Sequence, residues 1–196
     1  GAVRDLLLHR LHNDPWRGLP DLDLVVQGRA SELVKELVDA LAGQLGEGVV
    51  QRCQEHGAYG TVELELNLDG QQVLLDVATA RCETYPVPAE NPQVSFGSLA
   101  DDLARRDFSI NAMALDLVSG TLLDPHGGQA DLELRQLRFL HHGSVRDDPT
   151  RLVRGARYAA RLGLELEALS AEQAAATLAQ WPWPWRQGDA PAEAPS

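Results

Sequence analysis

The chain has 196 residues and a formal net charge of −12, from 17 basic and 29 acidic residues. An acidic balance of this size argues against a protein that wraps nucleic acid by bulk electrostatic attraction. No run approaches the roughly 20 apolar residues of a membrane-spanning helix, so no membrane partner is expected. Cys53 and Cys82 are too few and too isolated for a disulfide framework or a zinc site, and we expect a reducing, cytoplasmic setting.

The basic residues are distributed unevenly along the chain. Lys35 is the single lysine, and the second half of the chain holds a concentration of arginines. Between positions 105 and 161 these are Arg105, Arg106, Arg135, Arg138, Arg146, Arg151, Arg154, Arg157 and Arg161. Because the guanidinium group is planar and always charged, arginine suits fixed contacts to phosphates and bases better than diffuse attraction.

The first part of the chain predicts a helix, a strand and a second helix. Apolar residues at helical spacing indicate a helix over 1–11, and the run "DLDLVVQ" favours a strand over 21–27. Positions 31–46 have an amphipathic pattern that predicts a helix, with Ser31 as its N-cap and Gly46 as its C-cap. Its apolar stripe consists of Leu33, Val34, Leu37, Val38, Leu41 and Leu45.

The rest of the chain predicts a hairpin and two further helices. Strands over 61–68 and 71–79 alternate with period 2 and are joined by the turn dipeptide "DG". The segments 99–117 and 147–164 read as helices, the second with acidic residues at its start, where the helix dipole favours them. The Pro-rich segment Trp181–Arg186 either stacks on RNA bases or packs against neighbouring helices.

Two aspartates at the head of the first strand are candidate metal ligands. Asp21 and Asp23 lie two residues apart, so on a strand their side chains face the same side. Carboxylates arranged in this way hold Mg²⁺, which prefers oxygen ligands and keeps substrate phosphates as partners. A solvated strand edge is the alternative for an isolated pair. Asp76, at the end of "QQVLLD", is either a third carboxylate of the site or a local strand cap.

Two arginine-containing segments are candidates for nucleotide contacts. In "RRDFSINAMA", Arg106 and Asp107 precede an apolar run, which indicates an orienting ion pair or contacts to a phosphate and a sugar hydroxyl. In "DDPTRLVRGARY", charged residues recur at steps of three along the predicted helix, at Asp148, Arg151, Arg154 and Arg157. An acceptor beside a fork of donors has the elements that read a base edge. An exposed ladder of ion pairs is the alternative.

The order of these motifs is more specific than any one of them. Over positions 1–166 the chain contains, in order, "GAVRD", "DLDLVV", "LLDVATARCETY", "LARRDFSINAMALDL", "GTLLDPHGGQADLELRQLR" and "DDPTRLVRGARYAARLGL". This succession resembles the class II CCA-adding enzymes and bacterial poly(A) polymerases, which are template-independent RNA nucleotidyltransferases. The resemblance implies an α+β fold: a head like that of DNA polymerase β, with a small mixed β-sheet and flanking helices, followed by the start of a helical neck.

The resemblance also implies roles for individual residues in the first part of the chain. Asp21 and Asp23 match the metal-binding pair of the first catalytic motif. Asp76 matches the acidic residue of a later strand and is assigned as the third catalytic carboxylate. Gly1 and Arg4 match the glycine and arginine that contact the nucleotide triphosphate.

The second part of the chain matches the nucleotide-recognition motifs of the same family. Arg106 and Asp107 match the ribose-recognition motif. Asp148 and Arg151 match the pair that reads the Watson–Crick edge of the incoming CTP or ATP. The further nucleotide-binding arginines on that helix match Arg154 and Arg157.

The activity that the resemblance implies is CCA addition to tRNA. An RNA 3′-hydroxyl attacks the α-phosphate of the nucleotide with Mg²⁺ as cofactor, and pyrophosphate leaves. The expected partners are a tRNA or another RNA 3′ end, together with ATP and CTP. Addition of CC only, of A only or of poly(A) is equally compatible with these motifs. From another class, the chain would be a nucleotide- or RNA-binding fragment without activity.

The chain departs from the family pattern at both ends. The family begins with a strand and a Gly-Gly pair, whereas this chain starts at the single Gly1, so we expect the first strand of the head to be missing. The head is predicted over 1–140 and a partial helical neck, with its Pro- and Trp-rich end, over 141–196. The helical body and tail that follow the neck in the family are expected to be absent.

Overall fold

The computed structural model describes residues 1–16, 18, 21–57 and 60–180, which excludes the predicted Trp181–Arg186 segment. The chain forms two compact units. Unit 1 comprises Gly1–Cys82 and Val94–Asp102, and unit 2 comprises Glu83–Gln93 and the chain from Leu103 onward. Both units contain helices and strands, which confirms the predicted α+β class. The predicted boundary between a head over 1–140 and a neck over 141–196 does not correspond to the division into these two units, and it stays a prediction.

Helices and strands alternate irregularly along the chain. The elements up to residue 104 are α1 (Ala2–His12), β1 (Asp21–Val26), α2 (Ala30–Leu45), β2 (Val50–His56), β3 (Thr61–Leu68), β4 (Gln71–Thr79), β5 (Arg81–Thr84), β6 (Gln93–Phe96) and α3 (Leu99–Ala104). The later elements are a 3₁₀ turn (Ser109–Asn111), β7 (Ala114–Leu115), β8 (Leu122–Leu123), α4 (Gly128–Glu133), β9 (Gln136–Leu137), α5 (Ser144–Asp147), α6 (Thr150–Leu162), β10 (Glu165–Leu166) and α7 (Ala168–Leu178). No helix in the described part of the chain is long and apolar enough to cross a membrane.

Unit 1 is built on a mixed sheet of four strands in the order β1-β4-β3-β2. β1 runs parallel to β4, whereas β3 pairs antiparallel with both β4 and β2. The predicted hairpin of β3 and β4 is present, and its turn residues Asp69 and Gly70 both have positive φ, as a two-residue hairpin turn requires. Strand β2 was not predicted, because "VQRCQEH" lacks a clear apolar alternation and most of its residues are exposed.

One face of this sheet packs against α2. The buried core consists of Ala30, Val34, Val62, Leu64, Leu66, Leu75 and Val77. Because strand residues alternate between faces, the polar residues between these apolar positions lie on the other face of the sheet. The predicted stripe of α2 is only partly correct, since Leu33 and Leu45 are exposed and Val34 is buried.

The start of α2 differs from the prediction, because a tertiary contact provides the hydrogen-bond acceptor for its first N–H group. Arg29, and not Ser31, occupies the N-cap position, and Arg29 makes no side-chain cap hydrogen bond. The hydroxyl of Thr79, at the end of β4, instead accepts a 3.0 Å hydrogen bond from the N–H of Ala30. A remote side chain therefore provides what a local cap normally provides. The predicted C-cap, Gly46, has φ of 100° and ends the helix.

The helix predicted over 99–117 is wrong beyond Ala104. α3 ends there, and the chain then forms the 3₁₀ turn and the short strand β7. The carboxylate of Asp107 accepts hydrogen bonds from the N–H of Phe108 and from the side chain of Asn111, which hold a local turn. These local side-chain hydrogen bonds compete with the helix that the pattern predicts.

Phe108 is the centre of the core of unit 2. It is fully buried, stacks on Phe139 at 4.9 Å between ring centroids and meets Tyr158 edge-to-face at 5.9 Å. The predicted helix α6 passes directly over it at Gly155, where a Cβ atom would lie 2.9 Å from Phe108 Cζ. The glycine therefore allows α6 to approach the ring that follows Asp107.

Candidate functional site

An acidic surface lies on the face of the sheet of unit 1 that is opposite α2. Asp23 of β1 is the register partner of Asp76 in β4, which in turn is the partner of Glu63 in β3. Residues paired across neighbouring strands lie on the same face, so these three carboxylates form a row across the sheet. Asp21 and Asp23 are exposed, and Asp76 and Glu63 are partly buried.

The electrostatics of Asp76 reflect this crowding. Burial raises the pKa of Asp76, and the negative charges of Asp23, Glu63 and Asp21 raise it further, whereas His56 lowers it. The surface therefore holds negative charge that the described residues do not fully compensate. Glu63 was missed in the sequence, although the alternation of "TVELELNL" already places it on the polar face of β3.

The chemistry of the acidic surface fits a hard divalent cation. Asp21, Asp23 and Asp76 offer oxygen donors only, which are the ligands that Mg²⁺ prefers. A cation would also offset the repulsion that raises the pKa of Asp76. Within the described residues, no three His, Cys, Asp or Glu side chains are arranged as a complete ligand set. The two exposed aspartates would therefore share a metal with substrate oxygens.

The start of α1 lies beside this surface. A Cβ atom on Gly1 would be 3.9 Å from Oδ2 of Asp23, so the backbone of Gly1 is close to the candidate metal ligand. The side chain of Arg4 is buried, and its Nε donates a 2.7 Å hydrogen bond to Asp5. The structure thus places Gly1 next to the carboxylates, whereas the guanidinium of Arg4 is engaged by its neighbour.

In unit 2, one arginine bridges two of the predicted nucleotide-binding carboxylates. Nε of Arg154 lies 3.0 Å from Oδ2 of Asp107, and Nη2 of Arg154 lies 3.0 Å from Oδ2 of Asp148. Nη1 of Arg154 donates to the hydroxyl of Thr150 as well. Asp107 and Asp148 are 41 positions apart in the chain and are brought together by the planar fork of Arg154.

This bridge favours the charged forms of Asp148 and Arg154. Burial raises the pKa of Asp148, but the hydrogen bond from Thr150 and the charge of Arg154 outweigh it, and the pKa is lowered overall. Burial lowers the pKa of Arg154, but the charges of Asp148 and Asp107 outweigh it, and the pKa is raised overall. Asp148 is consequently a carboxylate acceptor at neutral pH.

Arg151 lies beside Asp148 with donors still available. Its side chain is buried, and Nη2 donates a 3.1 Å hydrogen bond to the backbone carbonyl of Arg105. Nε lies 3.9 Å from Oδ2 of Asp148, which is too far for a hydrogen bond. Nε and Nη1 of Arg151 have no hydrogen-bond partner among the described residues. Buried N–H groups without a partner are uncommon, because most buried polar groups are hydrogen-bonded, so this guanidinium stands out among the described side chains.

Arg151 is connected to three residues that had no predicted role: Tyr85, Glu83 and Arg105. The ring of Tyr85 lies 5.9 Å from the guanidinium carbon of Arg151. The phenol of Tyr85 donates a 2.9 Å hydrogen bond to Glu83, which also accepts from Arg105 at 3.0 Å. Burial and the hydrogen bond to Glu83 raise the pKa of Tyr85 to about 12, so its O–H remains a donor. The string "ATARCETY" contains Glu83 and Tyr85, but nothing local to it indicates a contact with Arg151.

The placement of the four charged residues on one helix face is wrong in part. Asp148 precedes α6 in an extended conformation, and its carboxylate accepts a hydrogen bond from the N–H of Thr150. Within α6, steps of three residues turn by about 60° around the axis, because a turn holds 3.6 residues. Arg151 is therefore buried, Arg154 partly exposed and Arg157 exposed. Arg106 was predicted to be helical, but α3 ends at Ala104, and Arg106 lies half-buried after it, beside Asp107.

Comparison with known proteins places this arrangement in a family. Residues 1–138 match the model of the Poly A polymerase head domain. An A-adding tRNA nucleotidyltransferase of Halalkalibacterium halodurans is 37% identical over 90% of this chain and 38% of its own length. A CC-adding tRNA nucleotidyltransferase of Deinococcus radiodurans is 44% identical over 84% of this chain and 40% of its own length. A multifunctional CCA protein of Leptothrix cholodnii is 60% identical over 83% of this chain and 33% of its own length.

Solved structures agree with these matches. A CCA-adding enzyme in its apo form II has a TM-score of 0.76 and 34% identity, over 92% of this chain and 39% of that one. A tRNA nucleotidyltransferase complexed with a primer tRNA and an incoming ATP analog has a TM-score of 0.68 and 35% identity, over 91% of this chain and 45% of that one. The chain thus spans between 33% and 45% of the length of these relatives. It belongs to the family of the Poly A polymerase head domain.

Proposed function

We propose that this chain carries the nucleotidyl-transfer part of an enzyme that adds nucleotides from CTP or ATP to the 3′ end of a tRNA. The observation that carries the proposal is the pair of Asp148 and Arg151: an ionised acceptor beside a buried guanidinium with unused donors. The relatives named above as A-adding and CC-adding tRNA nucleotidyltransferases support the same reading.

The chemistry of this pair favours cytosine and adenine. Each of these bases presents an amino donor next to a ring-nitrogen acceptor on its Watson–Crick edge. The carboxylate of Asp148 would accept from the amino group, and an N–H of Arg151 would donate to the ring nitrogen. Uracil and guanine present a carbonyl next to an N–H at the same positions, so they would set acceptor against acceptor and donor against donor. Arg106, Asp107, Arg154 and Arg157 are proposed to contact the rest of the nucleotide.

In unit 1, Asp21 and Asp23 are proposed to hold Mg²⁺, with Asp76 as a third carboxylate. When bound, Mg²⁺ would neutralise phosphate charge and favour ionisation of the attacking hydroxyl. The RNA 3′-hydroxyl forms a bond to the α-phosphorus, the bond from that phosphorus to the bridging oxygen breaks, and pyrophosphate leaves. Gly1 and Arg4 are proposed to orient the triphosphate, with Arg4 contacting a phosphate oxygen while its Nε stays paired with Asp5.

Several products are compatible with this site. Addition of CCA, of CC alone, of A alone or of poly(A) would all use the same base-reading pair, and the named relatives include both A-adding and CC-adding enzymes. The alternative of another class is a fragment that binds nucleotide or RNA without transferring it. The tRNA substrate would be met in the cytoplasm, which is the location that we propose.

The test is incorporation of labelled nucleotide into a tRNA that ends before CCA. The chain is incubated with Mg²⁺ and with CTP alone, ATP alone, or both, and the product lengths distinguish CC, A, CCA and poly(A) addition. Replacing Asp21→Asn and Asp23→Asn together should abolish incorporation, whereas Asp39→Asn, at an exposed position of α2, should not. Incorporation that survives the double change would refute the metal assignment. Binding of CTP and ATP without incorporation would support the fragment alternative.

A further inference from the structure

Arg151 belongs to a network with Glu83, Tyr85 and Arg105 within unit 2, in which Arg105 takes part through both its backbone carbonyl and its side chain. Nη2 of Arg151 donates to the carbonyl of Arg105, and the side chain of Arg105 pairs with Glu83 at 3.0 Å. Glu83 accepts from the phenol of Tyr85, and the Tyr85 ring lies against the guanidinium of Arg151. Each of the three other residues thus contacts Arg151 directly or through one neighbour, and none of them needs to contact a nucleotide itself.

The burial of this network indicates that it is built to be rigid. Glu83 and Arg105 are 7% and 15% exposed, so their ion pair is shielded from water and is a strong constraint on both side chains. Glu83 accepts from two different donors, which fixes its rotamer. An arginine side chain otherwise has four rotatable bonds and would lose much of its freedom only when a ligand binds.

Within the part of the chain that the structure describes, the network leaves two buried donor nitrogens of Arg151 unpaired. It occupies one N–H on Nη2, whereas Nε and Nη1, on the same planar group, have no partner among the described residues. The ring of Tyr85, with its centroid 5.9 Å from the guanidinium carbon, is within cation–π range and consumes none of the N–H groups. The plane and rotation of a guanidinium decide where its N–H bonds point, and thus which acceptor on a base they can meet.

We propose that Glu83 and Tyr85 are positioning residues that set the base specificity of the site by fixing the plane of the Arg151 guanidinium. This inference rests on the proposed function, because it assumes that Arg151 reads a base. It predicts that loosening the network lowers discrimination among bases more than it lowers affinity. A guanidinium that can rotate presents an N–H to the wrong acceptor as well as to the right one, whereas the triphosphate and ribose contacts are unchanged.

The test is equilibrium binding of CTP, ATP, UTP and GTP to the 196-residue chain in the presence of Mg²⁺. The near-isosteric Glu83→Gln removes the charge that pairs with Arg105, and Tyr85→Ala removes the ring. Tyr85→Phe keeps the ring and loses only the hydrogen bond to Glu83. The control is Asp131→Asn, which removes the charge of another carboxylate of unit 2 that pairs with an arginine, Arg138, at 2.8 Å.

The expected result is a change in ratios. Glu83→Gln and Tyr85→Ala should lower the preference for CTP over UTP about tenfold, within the range that a bidentate base contact contributes. Tyr85→Phe should lower it less, and Asp131→Asn should keep the wild-type ratio even if the chain unfolds at a lower temperature. A wild-type ratio in both Glu83→Gln and Tyr85→Ala, whatever their overall affinity, would overturn the inference alone. A wild-type chain that binds all four nucleotides equally would overturn the proposed function and the inference with it.

Discussion

Replacing Gly155 with alanine tests the contact that joins α6 to the segment carrying Asp107. A Cβ atom at this position would lie 2.9 Å from Phe108 Cζ, whereas carbon atoms in contact lie about 3.5–4.0 Å apart. Either α6 or the ring must therefore move by at least about 0.6 Å. Phe108 is fully buried between Phe139 and Tyr158, so its ring has little room to retreat.

Two opposing effects determine the stability of Gly155→Ala. Overpacking of this kind costs about 1–3 kcal/mol, and alanine improves the helix by about 1 kcal/mol over glycine. The matched control is Gly43→Ala in α2, where a Cβ atom would meet nothing within 4 Å. The control should gain about 1 kcal/mol, so the two variants should differ by about 1–3 kcal/mol in urea unfolding.

The same displacement has a consequence for nucleotide binding. Arg154 and Asp107 are the chain neighbours of Gly155 and Phe108, and their 3.0 Å hydrogen bond would lengthen to about 3.6 Å, beyond hydrogen-bonding distance. This hydrogen bond holds together two side chains that are proposed to contact the nucleotide, so affinity for CTP and ATP should fall in Gly155→Ala. Equal stabilisation of both variants, with unchanged nucleotide affinity, would refute the described packing of α6 on Phe108.

Three further predictions follow from the charges of the two units. Asp76→Asn should abolish incorporation and yet stabilise the fold at neutral pH by on the order of 1 kcal/mol, the energy of two charges about 4 Å apart in water. Because the pKa of Asp76 is raised in the folded protein, this gain should shrink as the pH falls through that pKa, as urea unfolding at several pH values would show. Arg154→Lys should raise the KM for both CTP and ATP about tenfold, because an ammonium group cannot bridge Asp107 and Asp148 as a planar guanidinium does. An unchanged KM would argue against the bridge. Because the pKa of Asp148 is lowered in the folded protein, its interactions persist at neutral pH and are lost only as the pH falls through this lowered pKa. Nucleotide affinity should therefore be constant from pH 8 to about pH 5. A decline in affinity within that range in the wild type, absent from Asp148→Asn, would contradict this.

Much of unit 1 could be predicted from the sequence because its patterns are local. The alternation in β3 and β4, the "DG" turn between them and the amphipathic α2 are all expressed within a few residues. Asp21 and Asp23 share a face for the same reason, because the period of a strand is two. The row from Asp23 to Asp76 and Glu63 could not be predicted in this way, because it depends on the register between strands that are far apart in the chain.

The recognition residues of unit 2 show the limit of local patterns. The spacing predicted Asp148 on the face of α6, whereas Asp148 lies just ahead of this helix and its carboxylate accepts a hydrogen bond from the N–H of Thr150. A helical pattern over 99–117 was overruled by the hydrogen bonds of Asp107. The sequence identified Arg151 but not the residues that hold it, since Glu83 and Tyr85 are more than 60 positions away.

The sequence by itself determined which chemical groups this protein has and in which order they follow: a carboxylate pair on a strand, then arginines and an aspartate near a late helix. Periodicity is a property of neighbouring residues, so it predicted β1 and α6, the elements that carry Asp21, Asp23 and Arg151. Only the tertiary structure decided the state of each group: that Asp76 is crowded by other charges, that Arg154 joins two carboxylates, and that Arg151 is buried with donors unused. The physical reason is that burial, hydrogen bonding and Coulomb interaction depend on distances in space, which the folded chain sets between residues tens of positions apart.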